Sequence, residues 1–265
     1  MLKRTAVVFL AAMVAIVGCQ SGPGDGTGDG KALERIKSSG KLVVGIDATY
    51  PPMEYMEGGA ATGFDVEFAR KMAERLGVKA EFVNVGWDEI ITGLTAGKYD
   101  VIISSMNITA DRSRTVDFVE YAKMSQVFVC RKGVSVKTEA DLAGKAVIAQ
   151  LGTTSEDWLL LARDRVKGIK IVRTFKSGPE LFDRVKAGKA DCLISDEPVG
   201  KYYAKTQPDA FSVTGQAIAP EPVGIALRKG EEPLRAALSK AVDDLRADGS
   251  YKALCEKWFG GELGK

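Results

Sequence analysis

Two stretches of this 265-residue chain read nearly alike, and their likeness restricts the fold more than any other feature. "LTAGKYDVIIS" (residues 94–104) and "VKAGKADCLIS" (residues 185–195) share one order: a helix end, Ala-Gly-Lys, an apolar strand, then serine. Each closes an alternating series. Before the first come "KLVVGI" as a strand, "GFDVEFARKMAERLG" as an amphipathic helix ending at Gly77, "KAEFVNV" as a strand and "WDEIITGLTAG" as a helix. Before the second come "LAGKAVIAQLG", "TTSEDWLLLARDRV", "IKIVRTF" and "GPELFDRVKAG", in the order strand, helix, strand, helix. A βαβαβ series implies a mostly parallel sheet flanked by helices. General α/β grammar also ends helices with Gly, yet two similar lobes account for the match more economically. The extended stretches "VEYAKMSQVFVCRKG" and "PEPVGIALRKG" suit two crossings between lobes, and the helices "EEPLRAALSKAVDDLRADG" and "SYKALCEKWFG" close the chain. The expected division is residues 41–122 plus 224–265 for lobe 1 and 123–223 for lobe 2, joined by a two-strand hinge. Open α/β sheets bind ligands at the carboxyl ends of their strands, so the expected site is the cleft between the lobes.

The N-terminus speaks to compartment. "MLKRTAVVFLAAMVAIVGC" has Lys3 and Arg4, then an apolar run from Thr5 to Val17, shorter than the roughly 18 residues of a membrane span. This is the layout of a secretory signal peptide over residues 1–18. Its ending, Ile16-Val17-Gly18-Cys19, resembles a bacterial lipobox, in which the cysteine is lipidated and becomes the first mature residue; a plain cleaved signal is the alternative. Gly-rich "QSGPGDGTGDGK" follows, and residues 19–40 are expected to be a lipidated Cys19 and a flexible tether. That places the folded body outside the cytoplasm, held at a membrane.

Composition excludes several functions. The chain has 37 Lys and Arg against 35 Asp and Glu, and two of the basic residues lie in the leader. The mature chain is therefore neutral, which argues against a nucleic-acid partner. Histidine is absent, so His-based triads and His metal sites are excluded. No metal or cofactor is expected. Cys130, Cys192 and Cys255 are far apart in sequence and sit in apolar patterns, which reads as buried structural cysteine rather than a zinc site or a disulfide framework; whether Cys130 and Cys192 pair is left open.

The stretch "VIISSMNITADRSR" (residues 101–114) runs from a buried strand into Ser104, Ser105, Asn107, Thr109 and Arg112. A polar surface loop is one reading. The other is a cradle in which Arg112 grips a carboxylate while hydroxyls and backbone N–H groups complete it.

"GFDVEFARKMAERL", "SSMNITADRSRTVDF", "LAGKAVIAQLGTTSE", "ADCLISDEP" and "LRADGSYKALCEKWFG" together resemble, in order and spacing, the family 3 bacterial extracytoplasmic solute-binding proteins, the amino-acid receptors of ABC importers. The resemblance covers about Lys41 to the C-terminus. It implies the type II periplasmic-binding-protein fold and a monomer that closes over a free L-amino acid and delivers it to membrane permease subunits. Carried over by position, Arg112 pairs with the ligand α-carboxylate, supported by Ser105 and Asn107. Gly152, Thr153 and Thr154, where a strand becomes a helix, offer N–H groups and a hydroxyl to the same carboxylate. Asp196 takes the α-ammonium; by itself it also reads as a helix N-cap. Asp47 and Tyr50 stand at the cleft mouth, Trp87 faces Tyr50 across the ligand side chain or packs in the core, and Gln150 varies with specificity. Arg112 and Asp196 are expected at equivalent positions of the two halves.

A zwitterion leaving water needs an anion and a cation, with nearly every donor and acceptor paired. The flat faces of Tyr50 and Trp87, the amide of Gln150 and the carboxylate of Asp47 favour a polar or cationic side chain over a branched aliphatic one. Two departures from the family pattern stand out: Asn107 replaces a hydroxyl or carboxylate residue, and Met53 replaces an aromatic one. The alternatives are an extracytoplasmic enzyme on the same scaffold (dehydratase-like), for which Asp47, Glu54 and Asp196 are the acid–base candidates, and a ligand-sensing module, for which no effector domain follows the last helix.

Overall fold

A computed structural model describes residues 29–174 and 178–263. The expected signal peptide, the lipidation site Cys19 and the tether through residue 28 lie outside the described residues. In chain order the elements are α1 (Ala32–Ser39), β1 (Lys41–Ile46), β2 (Thr49–Tyr50), β3 (Glu54–Glu57), β4 (Ala60–Thr62), α2 (Phe64–Arg75), β5 (Lys79–Asn84), α3 (Ile90–Thr95) and β6 (Val101–Ile102). A single turn, α4 (Arg112–Thr115), opens the long β7 (Val116–Arg131). There follow β8 (Ala146–Gln150), α5 (Thr154–Arg165), β9 (Lys170–Thr174), α6 (Gly178–Lys186), β10 (Cys192–Asp196), α7 (Glu197–Thr206), the long β11 (Phe211–Arg228), α8 (Glu232–Ala247) and α9 (Ser250–Phe259).

The main sheet runs β5-β1-β6-β11-β7-β10-β8-β9. Within each half the three short strands are parallel, and the crossing strand beside them is antiparallel: β11 against β6, β7 against β10. The two long strands pair with each other and run through both halves. Their register breaks between Thr214 and Ile218, Ile218 and Glu221, and Val223 and Gly224, and such irregularities let a strand pair bend. This is the two-lobed, two-hinge-strand α/β architecture that the alternating patterns imply.

The repeated motif has a repeated backbone. Gly97 and Gly188 both take a left-handed conformation at a helix end, where a side chain is disfavoured. Lys98 N–H bonds the Gly93 carbonyl and Gly97 N–H that of Leu94; Lys189 and Gly188 do the same to Arg184 and Val185. Two residues on, Asp100 accepts Val43 N–H and Asp191 accepts Ala146 N–H, each clamping the start of the neighbouring strand. In this register the counterpart of Asp196 is Ser105. The expected equivalence of Arg112 and Asp196 is therefore corrected: Arg112 lies beyond Ser105, at the start of α4, whereas Asp196 is the last residue of β10.

Two further expectations change. Residues 32–39, placed within the tether, form α1, because Ala32 and Ile36 supply an apolar face that is buried and Glu231 accepts Ala32 N–H. The cysteines are buried as expected, and Cys130 and Cys192 form a disulfide joining β7 to β10 while Cys255 stays free. Their positions are directly opposite in the antiparallel register, which no sequence separation reveals.

Candidate functional site

The parallel strands of both halves end at the cleft, and each delivers a serine followed by a second polar residue. On lobe 2, β10 ends at Ser195 and Asp196. Asp196 occupies the N-cap position of α7, yet its side chain caps nothing. It accepts a hydrogen bond from the Tyr50 hydroxyl of lobe 1 at 3.2 Å, and the same hydroxyl lies 3.1 Å from Ser195 Oγ. Asp196 is only 6% exposed, and burial pushes its carboxyl up to about 7 against the opposing pull of Tyr50.

On lobe 1, Ser104 Oγ donates to Glu54 Oε1 at 2.7 Å and accepts Asp47 N–H at 3.0 Å. Ser105 is the one described non-glycine residue with positive φ, at 49°. Asp65 holds it there, accepting both its N–H (2.6 Å) and its hydroxyl (3.0 Å), and the Tyr121 hydroxyl at 2.7 Å. Glu54 and Asp65 are both buried with hydroxyl and amide partners. Burial, then the nearby Asp65 charge, pushes Glu54 well above the usual carboxylate range. Asp47, whose carboxylate accepts the Thr49 hydroxyl at 2.7 Å, is also raised by burial.

Between the halves these residues line a cavity of about 60 Å³. Of the ten expected ligand contacts, Asp47, Tyr50, Trp87, Ser105, Asn107, Gln150, Thr153, Thr154 and Asp196 line it. Arg112 does not. Its guanidinium donates to the backbone carbonyls of Asn107 (2.8 Å) and Gly152 (3.0 Å) and lies 5.2 Å from the Trp87 ring centre. Trp87 Nε1 donates to the same Gly152 carbonyl at 3.1 Å, so one carbonyl of lobe 2 collects two donors of lobe 1. Thr153 caps α5 by accepting Glu156 N–H, and its hydroxyl donates to Gln150 O at 2.7 Å. Gly152 N–H is taken by Glu156 Oε2 at 2.7 Å.

Among the lining residues outside the expected set, two carry open polar atoms. Gln126, on the hinge strand β7, donates to Thr154 Oγ1 at 2.7 Å, and Thr154 in turn donates to Asn107 Oδ1 at 3.3 Å. Its signal was present as a lone amide in the apolar run "YAKMSQVFVC". Glu54, an acid–base candidate of the enzyme alternative, lines the cavity although it is absent from the expected ligand contacts. Glu54 Oε2, Gln126 Oε1 and Asn107 Nδ2 are buried without hydrogen-bond partners. Such atoms are costly unless something fills the cavity, and they offer a solute a carboxyl oxygen, an amide acceptor and an amide donor. Among the described residues Asp47, Glu54 and Asp196 line the cavity and no Lys or Arg does, which suits the cationic parts of a ligand.

Residues 42–261 match the bacterial extracellular solute-binding proteins, family 3. The chain is 36% identical over 237 residues to the L-cystine-binding protein TcyJ of Escherichia coli (strain K12), covering 88% of each. An ancestral arginine-binding protein solved with arginine superimposes with a TM-score of 0.79 at 38% identity, over 83% of this chain and 99% of that one. An ancestral amino acid-binding protein described as a precursor of cyclohexadienyl dehydratase gives 0.78 at 37% identity, over 86% and 99%.

Proposed function

This chain belongs to the bacterial extracellular solute-binding proteins, family 3, and on that premise we propose that it is the extracytoplasmic receptor of an ABC importer for a free L-amino acid with a polar or cationic side chain. The observation that carries the reading is the cavity at the seam of the lobes, lined by Asp196 from one side and by Asp47 and Glu54 from the other. Asp196 takes the ligand α-ammonium. Arg112 gives up the Gly152 carbonyl as ligand enters and turns to the α-carboxylate, with Thr154, Ser105 and Asn107 completing the set. Tyr50 and Trp87 flank the side chain, and Gln150 and Asp47 meet its polar end. The cystine- and arginine-binding relatives support this class of ligand. Lobe 1 comprises residues 41–122 and 224–265, and lobe 2 residues 123–223.

Cys19 carries the lipid that holds the receptor at the membrane, the receptor works as a monomer, and the closed lobes present the ligand to permease subunits. Among the described residues no helix is long and apolar enough to cross a membrane. A thermal-shift screen of the twenty amino acids on the mature chain, followed by calorimetry, tests the receptor reading: stabilisation by none of them overturns it. Fractionation of a Cys19→Ser variant tests the anchor, with release from the membrane as the expected result. The relation of one structural neighbour to a dehydratase, with a carboxyl near neutrality in the cavity, keeps an enzyme as the second reading. Turnover of a bound ligand would establish it; recovery of the ligand unchanged supports the receptor.

A further inference from the structure

Gln126 stands in the crossing strand β7 at the wall of the cavity. On one side its register partner is Asp196 of β10, directly opposite in the antiparallel pair; on the other it is Ile218 of β11, whose side chain has no donor. Residues directly opposite in such a pair share a face of the sheet, with Cβ atoms about 4.5–5.5 Å apart, and both Gln126 and Asp196 line the cavity. Gln126 is 1% exposed, and one end of its amide is committed: Nε2 donates to Thr154 Oγ1, and Thr154 donates onward to Asn107 Oδ1. This chain of bonds has a direction. It leaves an acceptor, Gln126 Oε1, at the end beside Asp196 and a donor, Asn107 Nδ2, at the other end, both buried and without a partner among the described residues. A buried acceptor set beside a carboxyl group is unfavourable until a donor with more than one N–H meets both.

An α-ammonium has three such N–H groups. An α-hydroxyl has one O–H, which the charged Asp196 takes first because a bond to an ionised acceptor is the stronger one. We infer that Gln126 is a specificity-determining residue: its side-chain carbonyl accepts a second N–H of the ligand α-ammonium beside Asp196, and this bond makes the cleft prefer an α-amino acid to the isosteric α-hydroxy acid. Asp196 separates the two by charge, and Gln126, a neutral group, separates them by the number of donors. The donor end of the chain, Asn107 Nδ2, then faces the carboxylate of the same amino-acid head. The inference rests on the amino-acid-receptor reading and deepens it.

The test is calorimetry of the mature chain with L-arginine, L-glutamine, L-histidine and L-cystine, and then, by displacement, of the tightest binder of the four against the α-hydroxy acid that carries the same side chain. Wild type should prefer the amino acid by about a hundredfold or more. Gln126→Met, close in size and without an amide, should lower that preference by about tenfold through weaker binding of the amino acid, and leave the hydroxy acid within about twofold. Gln126→Glu keeps an acceptor in place and should retain the preference. Thr154→Val cuts the bond to Nε2 from its other side; it should weaken both compounds alike and leave the preference within about twofold. A preference that is unchanged in Gln126→Met, that falls as far in Gln126→Glu, or that falls as far in Thr154→Val overturns the inference while the receptor reading stands. Binding of none of the four amino acids overturns both.

Discussion

At the end of β6 the chain reads Ser104-Ser105, and at the end of β10 it reads Ser195-Asp196. The backbones leading to these pairs are the same down to the glycine caps and the Asp100 and Asp191 clamps. The tips are not. Ser105 is turned back into lobe 1 by Asp65, whereas Asp196 faces Tyr50 across the cleft. The strand starting each half shows the same split, with Asp47 standing where Gln150 stands by register. A duplicated scaffold sets where the cleft is; single residues beyond the strand ends set what each wall offers.

The sharpest way to break this comparison is to exchange the tips. Asp196→Asn removes the group assigned to the ligand ammonium and should cost about 3–5 kcal/mol of binding, a hundredfold or more. Ser105→Ala removes a hydroxyl spent on Asp65 and should cost about 1 kcal/mol, a few-fold. Calorimetry with the best ligand checks both. Equal losses would mean that the walls are functionally symmetric.

The scaffold was legible because it is local chemistry repeated: helix caps, period-two strands and Ala-Gly-Lys restarts need no tertiary knowledge. Much of the polar cavity wall is legible too, since residues such as Asp47, Ser105, Gln150 and Asp196 follow strand ends, where the fold must put a site. What escaped depends on long-range geometry. Gln126 belongs to a crossing strand, and its partner Thr154, at the start of α5, is reached only once lobe 2 has folded. Arg112 takes its expected role from its place in the family pattern, and its guanidinium bonds the opposite lobe's Gly152 carbonyl, a competition that sequence does not show. The disulfide and α1 likewise depend on register and on a distant partner, Glu231.

A second test uses the disulfide, which staples lobe 2 and has Val101 as the lobe 1 counterpart of Cys192. Its 62-residue separation gives about 4 kcal/mol in the chain-entropy account. Cys130→Val with Cys192→Val should lower stability by about 2–4 kcal/mol in urea unfolding and leave ligand affinity within about twofold. A loss of affinity as large as that of Asp196→Asn would tie the staple to the tip.

The tips also differ in how they titrate. An unfolded aspartate loses its proton near 3.8, whereas Asp196 in the fold keeps it to about 7. Between those values the folded chain binds the extra proton, so this group's contribution to ligand-free stability falls as pH rises from about 4 to about 7. Glu54, also raised, acts in the same direction. Ligand affinity runs the opposite way, because the ammonium needs an ionised Asp196: below pH 7 it should drop by up to about tenfold per unit, about 1.4 kcal/mol. Thermal shifts with and without ligand from about pH 5 to about pH 8 should show the two curves diverging upward in pH. In Asp196→Asn the ligand-free curve should lose part of its slope, and an unchanged slope would place the titration elsewhere.

The smallest effect tests the shared scaffold itself. Gly97 and Gly188 have φ of 74° and 72°. A Cβ at Gly97 would meet nothing within 4 Å, and at Gly188 only Arg131 Nε at 3.9 Å. Neither alanine therefore clashes, and its cost is the left-handed backbone alone, about 1 kcal/mol each. If the halves are one scaffold used twice, Gly97→Ala and Gly188→Ala should destabilise equally within about 0.5 kcal/mol, add in the double variant because the sites share no partner, and leave affinity unchanged. Urea unfolding of the three variants measures this. A cost confined to one glycine would show that one half tolerates a relaxed helix end, and the common backbone would then be a likeness of form without a common energetic role.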